Sequence, residues 1–319
     1  MIERMDTQVR RARLTGCYVT IPTLFRDDAE LSVDHDGIRK HIRFLLDGGI
    51  RTGTGVVLAG GAAGDFSTLT FDERLAVAET VVDEVSGRVP VAMGAQTTST
   101  IELTRLAKAA ERIGADFIQV SPPFYFDHTE DDFYEYVRAG ADAADVGLII
   151  YNTYWTGYGV STSLVERLVD LPNVVGLKWS TPDVAMMTFE HVIDRFGSRF
   201  AVIDNQNRYV TSHMLGARAI EIHTANYWPR FGVRMWELLE AGEYAEAQRE
   251  MVRVVMPFMM LWSEMESYTS GDGFLDKLCI ELVGMPSSRC RPPTRDVRQG
   301  YRARAREMLL ACGVPGIID

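Results

Sequence analysis

The sequence is short of cysteine. Cys17, Cys279, Cys290 and Cys312 are its only four, far apart, with neither a CxxC pair nor a CxxH metal pattern, so a disulfide scaffold and a metal site are not expected. Long apolar runs are missing too: the most apolar stretch, 254–262 (VVMPFMMLW), falls far short of the ~20 residues a spanning helix needs. Positive charge is in deficit, with 33 Lys plus Arg against 44 Asp plus Glu and a net charge of −11. That balance argues against a nucleic-acid partner or an anionic membrane surface. The opening stretch MIERMDTQVRRARLTG has no apolar core after its charges, so no signal peptide is expected. Fourteen methionines and dispersed thiols suit a soluble protein of the reducing cytoplasm. The composition, 46% hydrophobic and 24% charged, is that of a folded globular chain.

What the sequence does contain is a rhythm. Short apolar runs at 17–21, 55–58, 89–93, 117–120, 147–151, 174–178, 200–203 and 219–223 alternate with helical patterns such as 34–47, 71–85, 100–113, 129–144, 161–169 and 182–196. Most of the runs are continuously apolar, as expected of parallel strands covered by helices. Asp36 and Ser161 are N-cap types, and Thr70 stands three residues before Glu73 as in a capping box. Eight strand–helix units in about 225 residues match a (β/α)8 barrel. A doubly wound sheet would usually open on a glycine-rich turn, whereas the first run leads into Pro22–Phe25. Beyond residue 230 the strand signals stop, and 236–240, 244–265, 274–283 and 294–312 read as helices. The expectation is an α/β chain: a TIM barrel over 13–230 with a C-terminal helical appendix over 231–319.

Barrel active sites lie at the C-terminal ends of the strands, so the residues that follow each run matter most. Lys178 closes the sixth run and is followed by Trp179. Desolvation there would leave some neutral amine to attack a carbonyl; a strand-end lysine can equally snorkel to solvent. Tyr151 closes the fifth run, and adjacent strand ends lie ~5 Å apart, so phenol and amine could share a substrate. The phenol could relay protons, or serve only as an aromatic lid. In GGAAGD (60–65), Gly60, Gly61 and Gly64 permit successive amides to face a concavity, an anion seat or an ordinary βα turn.

Together these features resemble the dihydrodipicolinate synthase / N-acetylneuraminate lyase family, the Schiff-base pyruvate-type aldolases. The family's GTTGE appears as GAAGD (61–65), followed by FSTLTFDER (66–74); its YNxPxRTG appears as YNTYWTG (151–157) and its GxK as GLK (176–178). TPYY is echoed by SPPFY (121–125) and VTAN by HTAN (223–226), all in the right order. The resemblance implies that Lys178 is the imine-forming lysine and Tyr151 the proton-relaying tyrosine. The backbone at Gly61, Ala62 and Ala63 would hold a keto-acid carboxylate. Tyr125 matches a tyrosine that some members contribute across a subunit interface. A homotetramer is implied, with no metal or organic cofactor beyond the covalent imine.

Departures from the pattern shape the expected substrate. Both threonines of GTTGE are alanine, and the segment after Tyr151 lacks the arginine that grips a second carboxylate. Glu221 stands in the eighth run where an apolar residue is usual, with His223 two positions on and so on the same face. Glu221 could act as a base or pair with a barrel arginine, and His223 could be catalytic or a satisfied interior histidine. Trp155 and Trp179 would widen an aromatic lining or pack under the appended helices. Arg289 and Arg291 could grip an acidic substrate or hold a loop to a helix. The reading is a lyase that joins or splits a 2-keto acid and an apolar or aromatic aldehyde, by aldolase or hydratase-aldolase chemistry. A sugar-acid dehydratase is the alternative within the family. A non-catalytic keto-acid-binding sensor or scaffold is the alternative from another class.

Overall fold

The structure, a computed structural model, describes residues 6–182 and 187–318. Eight parallel strands close into a barrel in chain order: β1 (Gly16–Thr20), β2 (Gly55–Ala59), β3 (Val91–Gly94), β4 (Phe117–Val120), β5 (Gly147–Tyr151), β6 (Val174–Trp179), β7 (Ala201–Asp204) and β8 (Ala219–Glu221). β8 pairs back onto β1. The strands read as unbroken apolar runs because both of their faces are buried. Tyr18, Leu58, Phe117, Ile149, Val175 and Ile203 belong to a cluster that fills the barrel, while their strand neighbours join the larger core under the helices. The C-terminal helices belong to that larger core through Phe258, Phe274, Leu278 and Leu309.

Local signals set most helix starts. Thr70 and Glu73 form the expected capping box, and the Ser161 hydroxyl accepts from Leu164 N. Asp36 is not a cap: Asp34 caps His35–Asp47 by accepting from Gly37 N, and Asp36 lies in the first turn, where a negative charge suits the helix dipole. The helix expected at 182–196 runs Thr188–Phe196, and residues 183–186 of that expectation lie outside the described residues. The expected 244–265 helix is continuous but carries a π turn, Met251–Val255, just ahead of Pro257, which has no N–H to give the preceding turn. Helix Pro229–Glu240 starts earlier than the pattern suggested, with proline in its first turn. Two short helices were not anticipated, Thr7–Ala12 and Tyr209–Met214. No helix among the described residues is long and apolar enough to cross a membrane.

Two features position the site. The β5–β6 pairing shifts register at Leu148/Ile149, and beyond that irregularity Tyr151 stands directly opposite Lys178. β8 ends at Glu221, so His223 is not on the strand as expected but opens a 3-10 turn, His223–Asn226.

Candidate active site

A cavity of about 670 Å³ opens at the C-terminal ends of the strands. Tyr151, Trp155, Asn205, Glu221, His223 and Asp272 are among its lining residues. Lys178 lies below this floor, 4% exposed, its Nζ 4.4 Å from the Tyr151 ring centroid and 5.2 Å from that of Tyr18. The expected burial is present, but the amine is not alone. Glu221 Oε2 lies 2.6 Å from Nζ, so the carboxylate for which a barrel arginine was the anticipated partner is paired with the lysine itself. Successive strand residues point to opposite faces, which sends Trp179 outward into the helical core at 1% exposure. Trp179 therefore does not widen the cavity. Trp155 does: it is 53% exposed and stands edge-on to Tyr151 at 5.7 Å and to Tyr154 at 5.0 Å.

Burial above all, then the charges of Asp272 and Glu221, push the Tyr151 phenol well above its usual range, so it keeps its proton at neutral pH. Its oxygen accepts from Asn205 Nδ2 at 3.2 Å. The hydroxyl is thereby oriented at the cavity floor beside the amine.

The strand-two loop is held from two sides. The Thr23 hydroxyl donates to Gly64 O at 2.7 Å, and Asp65 pairs with Lys277 Nζ at 3.0 Å. Gly64 is required there, because a Cβ would lie 2.8 Å from Gly61 N. Gly273, ahead of the helix Phe274–Leu282, approaches so closely that its Cβ would lie 2.3 Å from Ala63 O. Gly61 and Ala63 are buried, and Ala62 lines the cavity. Among the described residues the amides of Ala62 and Ala63 donate to no protein acceptor, as an anion seat needs.

Other expected residues lie elsewhere. Tyr125 is 85% exposed at φ +94° on the loop after β4 and does not line the cavity. Arg289 pairs with Asp27, and Arg291 with Glu73 and the carbonyls of Leu31 and Thr68, so both tie loops together away from the site. His223 does line the cavity, with Nδ1 3.0 Å from Asp276 Oδ2. Burial works against its charge, but Asp276, then Asp272 and Glu221, outweigh that and push it up to about 10. Asp272 is pushed up to about 6, chiefly by burial.

Several lining groups went unread in the sequence. Asn205, Gln206 and Asn207 follow β7, a position that barrel geometry alone flags. Met259, Trp262 and Glu266 come from the helix Met256–Glu266 and Asp272 from the loop after it, and nothing local points them at a strand end. No arginine or lysine is among the lining residues. Among the described residues, no group of three or more His, Cys, Asp or Glu side chains is placed to hold a metal ion.

Comparison with known proteins bears on the fold and the family. The family model described as Dihydrodipicolinate synthetase family matches residues 13–311. A 4-hydroxy-tetrahydrodipicolinate synthase of Neisseria gonorrhoeae is 28% identical over 302 residues, 94% of this chain and 99% of that protein. The enzyme of the same name from Chloroherpeton thalassium is 32% identical over 244 residues, 76% of this chain and 78% of that one. Among solved structures, the dihydrodipicolinate synthase of Acinetobacter baumannii complexed with pyruvate superimposes with a TM-score of 0.83 at 25% identity, covering 94% of this chain and 99% of that chain.

Proposed function

Because the chain belongs to the dihydrodipicolinate synthetase family, whose members are aldolase-type lyases, we propose that Lys178 is its imine-forming nucleophile toward a 2-keto acid such as pyruvate. The observation that carries this reading is the Tyr151–Lys178–Glu221 trio at the cavity floor. Glu221 takes the proton of the ammonium, and the freed amine attacks the keto carbon. Tyr151 passes a proton to the departing hydroxyl, while the Ala62 and Ala63 amides hold the carboxylate. The resulting iminium acidifies the neighbouring carbon; Tyr151, now without its proton, takes one from that carbon, and the C–H pair forms the enamine that adds to an aldehyde, while the reverse sequence cleaves the bond.

The aldehyde is apolar or aromatic on this reading, unlike the second substrate of a dihydrodipicolinate synthase. Tyr154, Trp155 and Trp262 line the cavity, and ring stacking contributes ~0.5–1.5 kcal/mol per pair beyond burial. Glu221, Glu266 and Asp272 also face it and no arginine or lysine lines it, so a second substrate carboxylate would be desolvated among like charges with only His223, already paired with Asp276, to meet it. That costs several kcal/mol and therefore several powers of ten in rate. Assays of pyruvate with benzaldehyde and with aspartate semialdehyde should differ by at least ~10²-fold in favour of benzaldehyde. Efficient turnover of aspartate semialdehyde would overturn this choice of partner.

A dehydratase acting on a sugar acid is the second reading, favoured by the Asn205–Asn207 rim and by a carboxylate already at the amine. Release of water from a 2-keto-3-deoxy acid without carbon–carbon cleavage would select it. In the tetramer that the family relationship suggests, Tyr125 would reach a neighbouring copy, and its exposure leaves it free to do so. The proposed setting is the cytoplasm, where the four buried thiols would stay reduced.

A further inference from the structure

We propose that His223 is a second catalytic residue, the group that exchanges a proton with the oxygen of the acceptor aldehyde, and that Asp276 is its positioning residue. The inference rests on the Schiff-base reading of Lys178, which supplies the carbon nucleophile.

The 3-10 turn after β8 places His223 on the wall of the cavity whose floor holds Glu221 and Tyr151. The ring is fixed from two directions. Phe258 stacks on it with centroids 5.5 Å apart and planes at 26°, and Asp276 Oδ2 lies 3.0 Å from Nδ1. Asp276 is wholly buried, and its other oxygen accepts from Asn226 Nδ2 at 2.9 Å. Asn226 in turn donates to Thr20 O at 3.0 Å, so the carboxylate is anchored to the end of β1. With Nδ1 committed to a carboxylate, the proton available for chemistry is the one on Nε2, the orientation an imidazole needs to work as acid or base. Among the described residues Nε2 has no hydrogen-bond partner.

The ring sits among acidic groups. Asp276 is behind it, Asp272 and Glu221 share its cavity, and Lys178 lies beyond Glu221. Glu266, from the helix Met256–Glu266 that also carries Phe258, lines the cavity as well. His41, across Asn226, is pushed down to about 4 by burial and is neutral. These surroundings keep the His223 ring cationic at neutral pH, so Nε2 has a proton to give.

The step balances. In the addition direction, the enamine carbon on Lys178 forms a bond to the aldehyde carbon, and the carbonyl π pair moves onto oxygen. That oxygen takes the Nε2 proton and becomes a hydroxyl, while the nitrogen lone pair of the enamine restores the iminium. Solvent then returns a proton to His223. In the cleavage direction solvent first takes the Nε2 proton, and the neutral imidazole then takes the hydroxyl proton as the carbon–carbon bond breaks. Tyr151 and Glu221 are occupied at the amine, so the two halves of the reaction have separate proton carriers.

The test separates those halves. In wild type, His223→Gln and Asp276→Asn, borohydride trapping of pyruvate at Lys178 reads the first half, and condensation of pyruvate with a panel of aromatic aldehydes headed by benzaldehyde reads the second. His223→Gln should lower condensation ~10²-fold and trapping by less than about threefold. Ring NMR of the ligand-free protein should show His223 titrating near 10 in wild type and lower in Asp276→Asn, with the alkaline limb of the condensation profile moving the same way. Asp276→Asn also disturbs the anchor of Asn226, so His223→Gln and its thermal midpoint keep the test decisive if the first variant does not fold. Condensation within about threefold of wild type in His223→Gln overturns the proposal, as does loss of trapping and condensation in equal measure. A wild-type ring titrating near 6.5 overturns it too, and so does a wild type that traps pyruvate but condenses it with no aldehyde. A wild type that traps no 2-keto acid overturns the Schiff-base reading first, and this inference with it.

Discussion

Both ends of the barrel carry charged strand-end residues, and they use them differently. At the N-terminal end, Arg10 reaches the Asp145 carboxylate at 3.1 Å and its backbone carbonyl at 3.2 Å. Arg13 pairs with Asp116, whose Oδ2 also takes the Val91 amide at 2.8 Å. Leu14, fully buried beside them, belongs to the cluster that fills the barrel. These charges tie the Thr7–Ala12 helix to the strand ends. At the opposite mouth, Lys178–Glu221 and His223–Asp276 are likewise paired and lie deeper still. The difference is that Glu221, His223 and Tyr151 each also face the cavity. Burial and pairing alone do not distinguish a chemical group from a structural one; an uncommitted polar atom facing a cavity does.

That contrast can be broken by substitution at either end. Tyr151→Phe keeps the ring and loses one hydrogen bond from Asn205, about 1 kcal/mol of stability. Its turnover should nevertheless fall ~10²-fold or more, and near-wild-type kcat would make the phenol a lid. Arg10→Met at the other end should do the reverse. Loss of a part-buried charged pair should lower stability by ~1–3 kcal/mol in urea melts, with kcat/KM per folded molecule preserved. A change in kcat/KM there would erase the distinction between the two ends.

Stability should also drift with pH. His223 is raised from 6.5 to about 10, so its contribution is fully present below 6.5 and drains away as pH climbs through that interval. Thermal midpoints should therefore fall from pH 7 to 10, and His223→Gln should flatten that slope. An equal slope in the variant would assign the drift to other groups.

The sequence carried the barrel well because the fold repeats one signal. A strand buried on both faces must be apolar throughout, and eight such runs with helical spacers leave few other architectures. It also carried the adjacency of Tyr151 and Lys178, since both close their strands and neighbouring strands must align. Period-two alternation held the orientation of Trp179 too: with Lys178 inward, the next residue points out. His223 was harder to place, because β8 breaks off after Glu221 and the chain turns, which an apolar run does not announce. Asp272, Asp276 and Trp262 were not legible at all. Their place at the mouth depends on how the C-terminal helices pack over it, including the close approach of Gly273 to Ala63, and no local pattern encodes a contact between segments some 200 residues apart.

The central claim is that Lys178 is a nucleophile toward a 2-keto acid. Its direct test is incubation with pyruvate and related 2-keto acids, borohydride reduction, and mass mapping of the modified peptide. A keto-acid-derived increment is expected on the peptide that contains Lys178 in wild type, and none in Lys178→Ala. An increment on another lysine, or none with any 2-keto acid, would contradict it.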